Sequence, residues 1–426
     1  MTRVLDATVS FVPRRLIIPL RLSSGAIESL TEAVATVTVE VDGRRATGRG
    51  VIYLSDLWAW PDDALSHDQR DAALRGLCEE IARELPKQFQ REPCHPLELG
   101  LRIHDLACGA TIAPSPTVLA RAMCASPFDA AVHDGAGLAL ATSAFALYRE
   151  TSPIPSADRY FPETGACRAV AELIERPRFE LPAWYVVGKD DSLDTTLVPA
   201  IRSRQYRCFK LKISGRDNLA DVKRTVEVYR TAVASGVAAP RLTIDSNEAN
   251  PSADSVLDYL ERLSAEDAGA YECLEYIEQP TNRDIQSSPF DWGAVAKRKP
   301  VMLDEGLTDL SLLAESRRQG YSGLALKTCK GHSMLLAAAA WAKRHDMLIS
   351  LQDLTNPGLA LLHGALVGSH LPTINGAELN SPQFTPAANV DFLPHLQELF
   401  EPRDGVHRLP RNVPNGLGSK ISSTNP

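Results

Sequence analysis

Cys208-Phe209-Lys210-Leu211-Lys212-Ile213 is a short apolar run broken by two lysines at alternate positions. Side chains of a strand alternate between its faces, so Lys210 and Lys212 share one face and the apolar residues take the other. Charge returns at the end of each later run: Ile244-Asp245-Ser246-Asn247, Ile277-Glu278-Gln279-Pro280, Leu303-Asp304-Glu305 and Leu326-Lys327-Thr328-Cys329-Lys330-Gly331. The steps from Lys212 to Asp245, Glu278, Asp304 and Lys327 are 33, 33, 26 and 23 residues. Each is close to the length of one strand, one crossover helix and the next strand.

Working outward, the strands expected are Ala183–Val187, Cys208–Ile213, Arg241–Ile244, Leu274–Ile277, Val301–Leu303, Leu324–Leu326, Leu348–Leu351 and Gly376–Leu379. Helical spacing lies between them, over Leu219–Ala234, Ser252–Leu263, Leu310–Gln319, Ser333–Arg344 and Leu359–Gly368. Such alternation predicts parallel strands with helical crossovers, and eight strands close into a barrel. An open doubly wound sheet is the alternative arrangement of the same alternation, although no Gly-x-Gly-x-x-Gly turn follows a strand.

The N-terminal part reads differently. Ala33–Val41 alternates, Asp42-Gly43 offers a tight turn and Ala46–Tyr53 is extended, which together predict a hairpin. Asp68–Leu85 and Asp129–Leu140 read as helices, the second with Pro127 near its first turn. Ser152–Pro162, rich in Pro and Ser, reads as a linker. The expected architecture is α/β: a modified (β/α)7β TIM barrel with an N-terminal α+β capping domain. The expected boundaries are 1–155 for the cap, 156–400 for the barrel and 401–426 for a tail returning to the cap.

Residues at the ends of parallel barrel strands meet at the C-terminal rim, where barrel active sites are built. Three carboxylates meeting there cannot all ionise without a cation, and a hard, oxygen-preferring ion such as Mg²⁺ resolves the conflict. A lone acid at a strand end is commonly a helix cap, and a lone strand lysine is commonly at an edge. The order Lys-x-Lys, Asp, Glu, Asp, Lys on five successive strands is what carries the chemistry. Lysines flanking a metal can remove and return a proton beside a carboxylate, with the enediolate stabilised electrostatically.

The net charge of −8 disfavours nucleic acid or an anionic membrane as partner. Apolar stretches such as Leu335–Trp341 are too short to span a bilayer, so no membrane partner is expected. Arg3, Arg14 and Arg15 precede no compact apolar core with a cleavage site, so no signal peptide and a cytoplasmic location are expected. The eight cysteines form no Cys-x-x-Cys pair, in keeping with free thiols in a reducing compartment.

The five motifs resemble the enolase superfamily, most closely its muconate lactonizing enzyme subgroup. The resemblance extends to Pro127-Phe128-Asp129-Ala130-Ala131 and Asp134 in the cap, and to Val413-Pro414-Asn415-Gly416-Leu417-Gly418 near the end. It implies one Mg²⁺ per subunit on Asp245, Glu278 and Asp304, with Lys212 and Lys327 as acid/base pair. It further implies that Lys210 supports the carboxylate of a small-molecule substrate, and that the subunits form a homo-oligomer. Asn247 and Glu378 are further candidates for substrate contact. The expected reaction is that of a racemase, epimerase or cycloisomerase. A syn-elimination lyase, a metal-free Schiff-base lyase and a catalytically dead binding protein stand as alternatives.

Departures from the pattern are Gly331-His332 in place of Gly-Gly, and Ala377-Glu378-Leu379-Asn380 in place of the paired aspartates of dipeptide epimerases. Leu20–Ile27 and Tyr53–Trp60, with Trp58 and Trp60, lie where the family places specificity loops.

Overall fold

The structure is a computed structural model that describes residues 1–22, 25–149 and 151–421. It opens with a three-stranded antiparallel sheet of β1 (Thr2–Leu22), β2 (Gly25–Val41) and β3 (Arg44–Leu54). The predicted hairpin is β2–β3, with Val41 paired to Arg44. Asp42 and Gly43 both have positive φ, which lets a two-residue turn follow the twist of the strands. The alternating Ala33, Ala35, Val37, Val39 and Val41 are all buried. β1 was not anticipated. Its register shifts between Val4 and Asp6 and again between Arg15 and Leu20, and these breaks hide the two-residue period. Of the expected specificity segment Leu20–Ile27, Ser23 and Ser24 lie outside the described residues.

A short helix α1 (Asp56–Ala59) leads to α2 (His67–Phe89), α3 (Pro96–Gly109) and α4 (Val118–Ala139). α4 begins well before the expected Asp129, capped by Thr117, whose Oγ1 accepts from Ala120 N. Pro127 therefore sits inside the helix rather than in its first turn. It leaves the carbonyl of Met123 without its usual donor, and the neighbouring Ser126 hydroxyl donates there at 2.8 Å. β3 lies directly on α4: a Cβ on Gly50 would stand 1.9 Å from the Pro127 carbonyl oxygen, and one on Gly48 2.1 Å from that of Ala131.

The expected linker is packed rather than free. Ile154, Ala157 and Phe161 are buried, and Glu98 on α3 accepts from Ser156 N and Oγ. After β4 (Glu180–Pro182) come β5 (Trp184–Val187), β6 (Cys208–Lys212), β7 (Arg241–Asp245), β8 (Leu274–Glu278), β9 (Val301–Leu303), β10 (Gly323–Lys327) and β11 (Leu348–Gln352). β5 to β11 pair in chain order, every neighbour parallel. The crossover helices lie at Asn218–Ala234, Ala253–Glu266, Leu312–Arg318, His332–Arg344 and Gly358–His370, each close to its expected range. β12 (Val406–Arg408) pairs antiparallel with β4. The architecture is the expected one, an α/β barrel of curled parallel strands under an N-terminal antiparallel cap.

The eighth strand is the exception. Residues 376–379 form no strand, and side-chain amides together with single backbone bonds close the gap between β11 and β5. The Asn375 amide exchanges bonds with Leu351 N and O, and Glu378 N donates to Leu351 O. On the far side the Gln383 amide pairs with Val186 N and O, and the Trp184 indole donates to Asn375 O. Gly376, at φ 72, turns the chain there. The tail reaches α4, where Asp134 Oδ1 accepts from Leu417 N at 2.7 Å.

Candidate active site

Register aligns the site before any side chain is considered. Lys212 pairs with Asp245 and Asp245 with Glu278, the last residues of β6, β7 and β8. Asp304 follows the end of β9, and Lys327 ends β10. These residues therefore meet at the C-terminal rim, and the lining of one pocket there includes Lys210, Lys212, Asn247, Lys327 and Glu378.

Lys210 is buried among three carboxylates. Its Nζ is 2.7 Å from Glu278 Oε1, 3.3 Å from Asp245 Oδ2 and 3.4 Å from Glu378 Oε2. Lys212 Nζ is 2.5 Å from Asp245 Oδ2 and donates to Asn247 Oδ1 at 3.1 Å. Lys327 Nζ is 2.5 Å from Asp304 Oδ2 and 3.9 Å from Glu278 Oε1. Glu278 thus stands between two lysine–aspartate pairs, and its second oxygen accepts from the Gln352 amide.

Glu305 and Lys330, which follow the ends of β9 and β10, are both buried. Lys330 holds Asp304 Oδ1 at 3.0 Å. Glu305 Oε1 accepts from the Trp58 indole at 2.8 Å and from the Asn247 amide at 3.3 Å.

Gln352, Asp353, Thr355 and Asn380 were missed, though Gln352 and Asp353 close the seventh strand as Asp245 closes the third. Ser55, Val186 and Phe384 join the wall only through tertiary packing. Leu20, Ile27 and Trp58 line the pocket; Trp58 and Trp60 both pack into the apolar core of the cap, and of the two Trp58 also reaches the pocket. His332 is not on the pocket floor. It opens the helix His332–Arg344, with Nδ1 2.9 Å from His363 Nε2 and its ring beside His133 of α4.

Charge decides what this pocket can hold. Asp245, Glu278, Asp304, Glu305, Asp353 and Glu378 are buried, and Lys210, Lys212, Lys327 and Lys330 face them. Fully ionised, six carboxylates against four ammonium groups leave two negative charges. Burial works against ionised Asp245 and Asp304, but the lysines beside each hold them below the usual carboxylate range. Burial wins at Glu278, which is pushed well up despite Lys210. Burial, with the charge of Asp304, lifts Glu305 to about 7, and burial lifts Asp353 to about 7 against two backbone N–H donors. Burial opposes the charge on Lys327, yet Asp304 and Glu278 overcome it and raise its affinity for the proton.

Among the described residues no three acidic or imidazole side chains stand ready around one point, because ammonium groups lie between the carboxylates. The donor set nevertheless suits a hard divalent cation. It offers carboxylate oxygens from neighbouring strands and the unpartnered buried atoms Glu305 Oε2 and Glu378 Oε1.

Residues 195–424 match the model of the enolase C-terminal domain-like family. The chain belongs to that family. No curated protein matches it. Among solved structures, muconate lactonizing enzyme from Pseudomonas fluorescens, complexed with muconolactone, is similar at TM-score 0.67 and 18% identity over 98% of this chain and 96% of that one. An enolase from Bradyrhizobium, complexed with magnesium and mandelic acid, is similar at TM-score 0.65 and 18% identity over 98% and 95%. N-succinyl Arg/Lys racemase from Bacillus cereus is similar at TM-score 0.65 and 17% identity over 98% and 95%. At these identities the likeness is one of fold, and fold alone does not specify a reaction. No helix among the described residues of this enolase-family chain is long and apolar enough to cross a membrane.

Proposed function

We propose that the chain removes and returns a proton α to the carboxylate of a small molecule, as a racemase, epimerase or cycloisomerase. One observation carries the reading: Lys212 and Lys327 line one pocket, each held by its own aspartate, with Glu278 between the two pairs. Two amines so separated can address opposite faces of one carbon. One takes the proton as free base while the other donates, and the centre inverts.

Asp245, Glu278 and Asp304 would hold Mg²⁺. When bound, that ion supplies positive charge beside the substrate carboxylate and so favours its enediolate. The chain does the rest. Lys210, deep in the barrel, holds one end of the substrate carboxylate by charge. Asn247 keeps Lys212 in place and, with Glu378, offers polar atoms to the substrate. Residues 1–155, read as the cap, supply Leu20, Ile27, Ser55 and Trp58 as a roof that limits water.

The test is proton exchange by NMR. The protein, loaded with Mg²⁺ in D₂O, meets a pooled library of α-substituted carboxylates, N-acyl amino acids and dipeptides. Deuterium entering an α-carbon, and stopping on addition of EDTA, is the expected result. Lys212→Ala and Lys327→Ala should each slow it by about 10²- to 10⁴-fold. Unchanged exchange in both variants refutes the mechanism, and formation of an olefin would assign the chain to elimination.

A further inference from the structure

We propose that Trp58, a cap residue, is the positioning residue for Lys327: its indole ring covers the ammonium group and fixes it toward the pocket. The inference rests on the reading above for its purpose, and on geometry for its substance. Lys327 Nζ lies 4.8 Å from the centroid of the Trp58 ring. A cation over an indole face is attracted by the ring quadrupole, and the attraction grows when both are withdrawn from water. Both are, for Trp58 and Lys327 are buried. The ring is itself held, because its N–H donates to Glu305 Oε1 at 2.8 Å, next to the Asp304 that grips Lys327. Trp58 therefore touches the lysine through its face and the chain beside Asp304 through its edge. Among the described residues Lys212 has no ring over its ammonium, so the two amines of one pocket are held by different means.

The backbone of Trp58 is anchored without its side chain. Arg283, in the loop after β8 and paired with Glu248, donates to Trp58 O at 3.1 Å and to Ala59 O at 3.3 Å. Thr117 Oγ1, at the start of α4, donates to Ala59 O at 2.6 Å. Asp56, two residues before Trp58, is paired with Arg70 of α2. Removing the indole thus leaves α1 seated on the barrel rim, and a Trp58 variant reports on the lysine rather than on loss of the cap. The same arrangement makes the placement of one of the paired lysines depend on the cap being docked.

The experiment compares two lysines in the same sample. The full-length protein is reductively methylated with formaldehyde and cyanoborohydride, and the rates at Lys327 and Lys212 are read by peptide mass spectrometry. Trp58→Leu is expected to raise labelling of Lys327 by roughly three- to tenfold relative to Lys212. Trp58→Phe, which keeps a ring face, is expected to stay near the unsubstituted protein. An unchanged ratio in Trp58→Leu, or a Phe variant as reactive as the Leu variant, overturns the proposal.

Exchange in D₂O separates this from the proposed function. With a responsive carboxylate, Trp58→Leu slows exchange of the enantiomer whose α-proton faces Lys327 and spares the other, while equal slowing of both counts against positioning. Selective labelling without exchange of any carboxylate in Mg²⁺ counts against the enediolate reading and leaves the role of Trp58 standing.

Discussion

At the scale of single residues, the burial of histidine makes a prediction with a definite sign. His407 is buried, its Nδ1 2.7 Å from Leu399 O and its Nε2 without a partner, and burial lowers its pKa to about 4. Unfolded, it would titrate near 6.5. Between those values the unfolded chain binds the proton more readily. The stability contributed by neutral His407 is thus complete above about pH 6.5 and is lost as pH falls toward 4. Glu305 and Asp353, whose folded pKa values are raised to about 7, work in the opposite sense over the same window. A difference measurement isolates the histidine. Urea unfolding of the native protein and of His407→Asn should show a gap that narrows by on the order of 2 kcal/mol from pH 7 to pH 4.5. A gap independent of pH would mean that His407 is not buried in its neutral form. The proposed catalytic residues were legible at this scale because charge inside an apolar strand is costly and conspicuous. Trp58 was only half legible, since nothing local tells Trp58 from Trp60: both pack in the cap core, and of the two Trp58 also lines the pocket.

At the scale of elements, the seam between β3 and α4 is set by two glycines. The helix backbone comes so near that a Cβ at Gly50 would overlap the Pro127 carbonyl oxygen. Gly50→Ala should therefore destabilise the protein by about 2 kcal/mol or more, by overpacking that backbone cannot relieve. Gly43→Ala meets no atom within 4 Å, but its φ of +77 strains any side chain, so its cost arises in the turn alone. Thermal melts of the two variants separate the cases: loss of cap packing lowers near-ultraviolet dichroism in the first and leaves it intact in the second. Equal, small effects would show that the seam is looser than the distances imply. The same seam explains why α4 was legible only in part. An Ala-rich helix buried along nearly its whole length has no polar face to give it a period, and Pro127 reads as a start when its missing donor is replaced by Ser126. The eighth strand was misjudged for a related reason, because Asn375 and Gln383 close the barrel with side-chain amides that imitate a ladder.

At the scale of the molecule, the proposed cation site under the cap would couple metal binding to folding. The unfolded chain offers no such cluster, so Mg²⁺ should stabilise the folded state by mass action. At a hundredfold excess over Kd the gain is about 2.7 kcal/mol. Calorimetry with increasing Mg²⁺ should show a rising Tm that EDTA reverses, and Glu278→Gln should weaken the dependence. A Tm indifferent to divalent cations would mean that the lysines and raised carboxyl groups already satisfy the site. The gain belongs to the whole fold, since Asp245, Glu278 and Asp304 are set by three strands that hold position only while the barrel is closed.

What the sequence by itself determined was the repeating strand and helix, the charged end of each strand, and hence the meeting of Lys210, Lys212, Asp245, Glu278, Asp304 and Lys327 at one rim. Those follow from the two-residue period and from parallel register, which are local rules. The tertiary structure alone decided that ammonium groups stand between the carboxylates, that Glu305 and Asp353 are deep enough to hold protons near neutral pH, and that Trp58 covers Lys327. Those depend on distances between residues far apart in the chain and on exclusion of water, neither of which a local pattern encodes.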